Sequence, residues 1–299
     1  MKRRQFIHTT TLTFGAGLSV PLISQGVGAK NETVEPANSL VRLGLLTDVH
    51  YADKPPGGSR HYRESLGKVK EAAALFKQEQ PTAIVCLGDI VDAAPTVEIE
   101  AAYLKTITAA MDESGIPRHH VLGNHCVSTL TKAEFFEHGK TTTKAGHFSF
   151  DLGDVHFVIL DACYNSKMEP YGRNNFAWTD TNIPPSQQAW LTEDLDKTDK
   201  KTVVFAHQRL DLKPEVNYAV KQCVAIRSIL EKSKKILAVF QGHSHKNELK
   251  TINGIPYCTL AAVVEGSGVE NNSYSLLDVM NDGKLVLKGY RKQEDRALG

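Results

Sequence analysis

The sequence predicts an α/β protein, a four-layer α/β/β/α sandwich of two mixed sheets flanked by helices. Three observations carry that prediction. Between residues 41 and 122, strand-like and helix-like segments alternate as β-α-β-α-β, the succession of a mostly parallel sheet. The runs LGLLT, AIVCL, TVVFA and ILAVF are short and apolar, as strands covered on both faces are. After Gly242 the pattern turns to strands alone, which supplies a second sheet to pack face to face on the first.

The elements follow in order. Val41–Thr47 reads as the first core strand, and Tyr51–Arg60 as a loop broken by Pro55-Pro56-Gly57-Gly58. From His61 to Gln78, the residues Leu66, Val69, Ala73, Leu75 and Phe76 recur at helical spacing. Ala83–Leu87 is the second strand. Thr96–Glu113 is a helix with Thr96 as its N-cap, and His119–Leu122 is the third strand. Gly146–Asp151 and Val155–Asp161 form a hairpin around Gly153-Asp154. Residues 164–185 make a long polar and aromatic loop, of a length often tied to function. A helix at Ser186–Leu195, a strand at Thr202–Ala206, a helix at Glu215–Lys232 and a strand at Ile236–Phe240 come next. Strands at about 247–252, 255–263, 273–279 and 284–290 close the chain, with turns at Gly254 and Asp282-Gly283.

The chain opens Met1-Lys2-Arg3-Arg4-Gln5-Phe6, runs apolar and small from Leu12 to Ile23, and reaches Val27-Gly28-Ala29. A basic start, a short apolar stretch and small residues at a cleavage point make a secretory signal. The paired arginines resemble the twin-arginine export signal of bacteria. The apolar stretch is shorter than the roughly 20 residues that span a bilayer, which argues against an anchor. The expectation is a signal at 1–29 removed on export to the periplasm or beyond, a flexible lead-in at 30–40, and one domain at 41–299. Cleavage takes away Lys2, Arg3 and Arg4 and no acid, so the formal charge falls from +1 to −2. A near-neutral surface gives no support for nucleic acid or an anionic membrane as partner. The oligomeric state is not legible. Cys86, Cys126, Cys163, Cys223 and Cys258 are odd in number and form no CxxC pair, which argues against a disulfide framework or a thiolate zinc site. Cys86, Cys163 and Cys258 read as small buried hydrophobes. Cys126 directly follows His125, which places it near the candidate site.

That site is announced by five blocks, each after a strand-like run: Asp48-Val49-His50, Gly88-Asp89-Ile90-Val91-Asp92, Gly123-Asn124-His125, His207, and Gly242-His243-Ser244-His245. All carry nitrogen or oxygen donors suited to divalent metals. The carboxyl ends of strands line the crevice of an open α/β sheet, so the blocks point to one shared site. Two ions about 3.5–4 Å apart can clamp the attacking and leaving oxygens of a phosphoryl transfer, with one carboxylate between them.

The order of these blocks resembles that of the calcineurin-like metallophosphoesterases, over nearly the whole mature chain. The resemblance implies that Asp48, His50 and His245 hold one ion, that Asn124, His207 and His243 hold a second, and that Asp89 bridges. It implies that His125 faces the substrate phosphate and gives a hydrogen bond or a proton to the leaving oxygen, with Asp92 orienting it. A water activated between the ions is then the nucleophile. Manganese leads as the metal, and iron, zinc and cobalt also suit mixed nitrogen and oxygen donors.

Outside the blocks the chain resembles the manganese-dependent ADP-ribose/CDP-alcohol diphosphatases. The carriers are Tyr51-Ala52-Asp53, the segment from Arg60 to Leu66, Gly172-Arg173-Asn174-Asn175-Phe176, Lys288-Gly289-Tyr290 and Asp295-Arg296. It departs from that branch at His50, where the branch carries Gln, and at Cys126, where it carries an acid. The reading is an exported hydrolase of phosphoester or phosphoanhydride bonds. Its small phosphorylated substrate is nucleoside-diphosphate-linked, with a broad phosphomonoesterase or phosphodiesterase as the rival. Arg60, Arg63 and Arg173 are the candidates to hold a phosphate away from the metals. Tyr171, Phe176 and Trp178 are the candidates to stack on a base. A non-catalytic scaffold would have lost ligands, and here the set is complete.

Overall fold

The computed structural model describes residues 39–141 and 143–299. The expected signal at 1–29 lies outside them, as does all of the lead-in except its last residues, which already belong to a strand. That strand, β1 (Ser39–Leu46), runs parallel to β2 (Ala83–Cys86), which runs parallel to β3 (Arg118–His120). On the other side of β1, the strands β10 (Ser273–Met280), β11 (Leu285–Arg291) and β12 (Arg296–Leu298) add in antiparallel succession. The second sheet is ordered β4 (Phe148–Leu152), β5 (Val155–Ile159), β6 (Lys201–Phe205), β7 (Ile236–Gln241), β9 (Ile255–Thr259) and β8 (Glu248–Ile252). Its centre is parallel from β5 through β9, and its two outer pairs are antiparallel.

Strand alternation builds the layers. Leu43 and Leu45 of β1, with Ala83 and Val85 of β2, meet Phe157, Val203, Phe205 and Phe240 of the second sheet in one buried cluster between the sheets. Their neighbours Leu46, Ile84 and Cys86 turn to the opposite face, against the helices α1 (Ser65–Glu79), α2 (Val97–Asp112) and α3 (Lys132–His138). On the far side, Val158, Val204 and Val239 pack on α4 (Pro185–Lys197) and α5 (Cys223–Ser233). A period of two, applied to strands apolar on both faces, therefore yields four layers. Each fully buried Val, Leu, Ile or Phe stabilises this arrangement by about 1.5–3 kcal/mol.

Several elements depart from the sequence reading. The chain at 62–64 makes a tight 3₁₀ turn before α1 begins at Ser65. Helix α3 was not expected, although Thr131 and Glu134 form a complete capping box at its start. The helix expected from Glu215 begins only at Cys223. Residues 215–222 instead form a loop pinned by Arg209, whose N–H donates to the Tyr218 carbonyl at 3.1 Å and whose carbonyl accepts from Val220 at 3.0 Å. The strand expected over 255–263 pairs only as far as Thr259. The short strand β12 was missed. Thr96 does cap α2, accepting a hydrogen bond from the Ile99 N–H.

Candidate metal centre

Both sheets deliver their strand ends to one place. β1 leads into Asp48 and His50, β2 into Asp89, β3 into Asn124, β6 into His207 and β7 into His243 and His245. Turning a side chain into the crevice straight after a strand bends the backbone. Asp48, His50, Asp89, His243 and His245 all sit at positive φ, between 44° and 68°. Such positions for residues other than Gly cost on the order of 1–3 kcal/mol each and cluster at functional sites. Backbone hydrogen bonds hold them there: Asp48 N–H donates to Gly88 O at 3.0 Å, and His50 N–H to Asp89 O at 2.7 Å.

Two block glycines are required by space. A Cβ on Gly123 would lie 2.2 Å from Asp89 Oδ1 and 2.4 Å from its backbone nitrogen. A Cβ on Gly88, itself at φ +98°, would lie 2.5 Å from His207 Nδ1. The glycines let the carboxylate and the imidazole come close to the neighbouring turn.

The donor atoms form linked groups. Asp48, His50 and His245 bring ligand-type atoms together in one, and Asp89, His207 and His243 do so in another. Asp89 Oδ2 stands between them, 3.6 Å from His50 Nε2 and 3.1 Å from His207 Nε2. Asp48 Oδ1 lies 3.3 Å from His245 Nε2. Burial is close to complete, yet among the described residues Asp48 Oδ1, His50 Nε2, His207 Nε2, His243 Nε2 and both amide atoms of Asn124 have no hydrogen-bond partner. Leaving so many buried polar atoms unsatisfied is costly unless something else binds them. Carboxylate, imidazole and amide donors fit a divalent cation.

Charge balance agrees. Burial would raise Asp48 and Asp89, but the neighbouring histidines hold both well below the usual carboxylate range. Burial pushes His50 down to about 4 and His243 down to about 3. It acts on His207 and His245 as well, but there Asp89 and Asp48 outweigh it and raise both to about 9. Ionised Asp48 and Asp89 would favour a cation here, and His207 and His245 would have to give up a proton to ligate it.

His125 stands at the edge of this cluster. Its nitrogen atoms come near His50 and Asp89, so distance alone would admit it as a ligand. Its Nδ1, however, is engaged by Asp92 Oδ1 at 2.8 Å, and its backbone N–H donates to Asp89 Oδ1 at 2.7 Å. Burial lowers the His125 pKa and the carboxylates of Asp89 and Asp92 raise it, with a net rise. Lys54 approaches the other oxygen of Asp92 at 3.3 Å.

The cavity above the cluster has a volume of about 300 Å³ and is lined by Arg60, Asp89, Asn124, His125, Trp178, Tyr218, His243 and His245. Trp178 and Tyr218 are both exposed, their rings 5.3 Å apart, and the Tyr218 ring is 5.5 Å from that of His243. Phe176 packs beside the His125 ring at 5.5 Å.

Of the residues expected to touch substrate, Arg60 and Trp178 line this cavity and Phe176 adjoins it. The structure places three others away from it. Arg63 is turned to Asp53, with Nε 2.5 Å from Oδ1. Arg173 forms a two-armed pair with Glu134 of the α3 capping box and donates to the Thr129 carbonyl at 2.9 Å. Tyr171 is fully buried, and its hydroxyl donates toward the Asp180 and Ala177 carbonyls at 2.6 and 3.0 Å, closing the long loop on itself. Cys126, expected near the metals, is buried in the core between the first sheet and its helices, close enough to Asp89 that burial first and that carboxylate second push its thiol up. The sequence reading also missed two residues. Tyr218 was hidden by the helix expected over 215–232. Glu265, whose Oε1 lies 2.6 Å from His245 Nδ1, had as its only signal an acid at the end of an apolar run.

The pattern of the calcineurin-like phosphoesterases matches residues 41–247, and the chain belongs to that family. It is a metal-dependent hydrolase of phosphoesters. Among its relatives is a manganese-dependent ADP-ribose/CDP-alcohol diphosphatase of Danio rerio, 24% identical over 318 aligned positions, covering 86% of this chain and 97% of the relative. A serine/threonine-protein phosphatase CPPED1 of Mus musculus is 25% identical over 274 positions, covering 86% and 83%. The fold matches the crystal structure of a dimetal phosphatase from Danio rerio with a TM-score of 0.76 at 21% identity, covering 87% of this chain and 99% of that one.

Proposed function

We propose that the chain binds two divalent ions, manganese foremost, and hydrolyses nucleoside-diphosphate-linked substrates such as ADP-ribose or CDP-alcohols. Asp48, His50 and His245 would hold one ion, Asn124, His207 and His243 the other, and Asp89 both. The observation that carries this reading is the place of the Asp89 carboxylate, within 3.6 Å of imidazole nitrogens from both donor groups. Bound ions would neutralise charge developing on the phosphoryl oxygens and make a water acidic enough to attack at neutral pH.

The chain's own residues supply the rest. Asp92 holds the Nδ1–H of His125, which leaves the Nε2–H of the protonated ring to face the cavity and pass its proton to the leaving oxygen, the ring becoming neutral. Arg60 offers a planar fork to a second phosphate. Trp178 and Tyr218 offer aromatic faces to a base. The activity for which the diphosphatase relatives are named supports a substrate with both features. The Arg3-Arg4 start supports a site of action outside the cytoplasm, where such an enzyme would degrade nucleotide diphosphates or release phosphate.

A product-resolved assay of the manganese-loaded protein tests this, with ADP-ribose, a CDP-alcohol, a phosphodiester and an aryl monoester side by side. The expected result is cleavage at the diphosphate with the highest kcat/KM. Equal kcat/KM on all four would leave a broad phosphoesterase in its place.

A further inference from the structure

We propose that Glu265 is a positioning residue for the metal centre, fixing His245 in the form that offers Nε2 to an ion. This deepens the reading above and rests on His245 being a ligand. The ring of His245 is held at two points. Its Nε2 faces Asp48 Oδ1 at 3.3 Å, inside the cluster. Its Nδ1 faces Glu265 Oε1 at 2.6 Å, on the outer side. A carboxylate against Nδ1 keeps the proton there, so the lone pair of the neutral ring lies on Nε2, and the ring cannot rotate away without losing the bond.

The segment that carries Glu265 is built to hold it still. Lys68, from α1, is fully buried and forms no salt bridge among the described residues. Its ammonium donates to the carbonyls of Val263, Glu265 and Gly266 at 2.8, 2.9 and 2.7 Å. Three acceptors match its three donors, which is what makes burying the charge tolerable. The same segment is sewn to both sides of the pocket. Val263 and Val264 donate to the carbonyls of Thr47 and Asp48, each at 3.1 Å. Gly266 donates to Ser59 O at 2.8 Å, and Glu265 bridges to Arg60 through the backbone. Glu265 is thus anchored to the strand end that presents Asp48 and to the arm that presents Arg60. An acid with only a surface role would not need a buried cation beneath its backbone.

The test compares the wild-type protein with Glu265→Ala and Glu265→Gln in calorimetric titrations with Mn²⁺ and in metal content after dialysis. Glu265→Ala should weaken one of the two Mn²⁺ sites by about 10–100-fold, the usual effect of removing a partner behind a metal-bound histidine. The other site should keep its affinity. Glu265→Gln retains an oxygen that accepts from Nδ1–H and should recover most of the loss. With ¹⁵N-histidine and Zn²⁺ in place of Mn²⁺, the His245 Nδ1–H should be seen in wild type and in the Gln variant, and lost from the Ala variant. Unchanged Mn²⁺ affinity in Glu265→Ala overturns the proposal. So does equal weakening of both sites with Gln no better than Ala, the mark of a general structural role. If the wild-type protein takes up no Mn²⁺, the reading of His245 as a ligand fails along with it.

Discussion

Asp89 and His243, at the floor of the pocket, reach it from the ends of buried strands in different sheets. Trp178 and Tyr218, at its mouth, come from loops without regular structure. A side chain that follows a buried strand has one crevice to enter, because the sheet fixes where the strand ends and burial closes the alternatives. A side chain on a loop chooses among many partners. Arg63 chose Asp53 and Arg173 chose Glu134, although both are as well suited to phosphate as Arg60 is. The floor is therefore specified by chain order and the rim by tertiary contacts. The two should also fail differently: floor substitutions should cost metal and turnover, and rim substitutions should alter substrate preference.

The largest effect is expected at the floor. Asp89→Asn keeps the size of the residue and removes the charge that faces both donor groups. Bound metal should fall and turnover should drop on every substrate alike, read by metal analysis and kcat. Gly123→Ala should act on the same carboxylate by steric means, since a Cβ there would meet Asp89 at 2.2 Å. Its metal content should fall too, with a lower melting temperature. An Asp89→Asn protein with full metal content and normal turnover would remove the central premise.

His125→Ala should lose roughly 10²–10⁴-fold in kcat, the scale of general acid–base help, with metal retained. The loss should be smaller for aryl phosphates, whose leaving oxygens need no proton. Asp92→Asn should lose less, because an amide can still hold the ring while no longer stabilising its charge. If His125→Ala also empties the centre, His125 belongs with the ligands, as its closeness to His50 and Asp89 would permit.

The floor was readable for a physical reason. Asp48, Asp89, His207 and His243 all follow apolar runs that read as core strands, so their order along the chain gives their convergence in space. The same regularity gave the four layers, since strands apolar on both faces need cover on both. The helix expected over 215–232 shows where such reasoning stops. Residues 215–222 carry a pattern that a helix could use, but hydrogen bonds to Arg209, which lies earlier in the chain, hold them as a loop, and Tyr218 reaches the pocket because of it. Tyr171 shows the same limit from the other side. An aromatic in a long loop looks like a stacking platform until the loop is seen to fold around it.

Rim effects should be moderate and selective. Arg60→Ala should raise KM for a nucleoside diphosphate ester by about 1–3 kcal/mol, the worth of a hydrogen bond to a charged group. Trp178→Ala and Tyr218→Ala should each raise it by about 0.5–1.5 kcal/mol, the worth of an aromatic contact. KM for a small aryl phosphate, which has neither a second phosphate nor a base, should hardly move. Equal shifts on both substrates would mean that the rim carries no specificity and that the broad phosphoesterase is the better account.

The smallest effect is expected at the two arginines that the structure turns away. Arg63 is spent on Asp53, and Arg173 on Glu134 and the Thr129 carbonyl; neither lines the cavity. Both are exposed, and exposed ion pairs contribute little to stability because water and salt screen them. Arg63→Ala and Arg173→Ala should therefore leave KM for the diphosphate ester unchanged while Arg60→Ala raises it. The three variants measured together separate position from residue type, since all remove the same guanidinium from the same enzyme. If Arg63→Ala raises KM as much as Arg60→Ala does, Arg63 must leave Asp53 when substrate binds, and the rim is then assembled by the substrate. In that case Asp53→Asn should lower KM, because it frees Arg63 in advance, and that single measurement decides between a rim set by the fold and a rim set by binding.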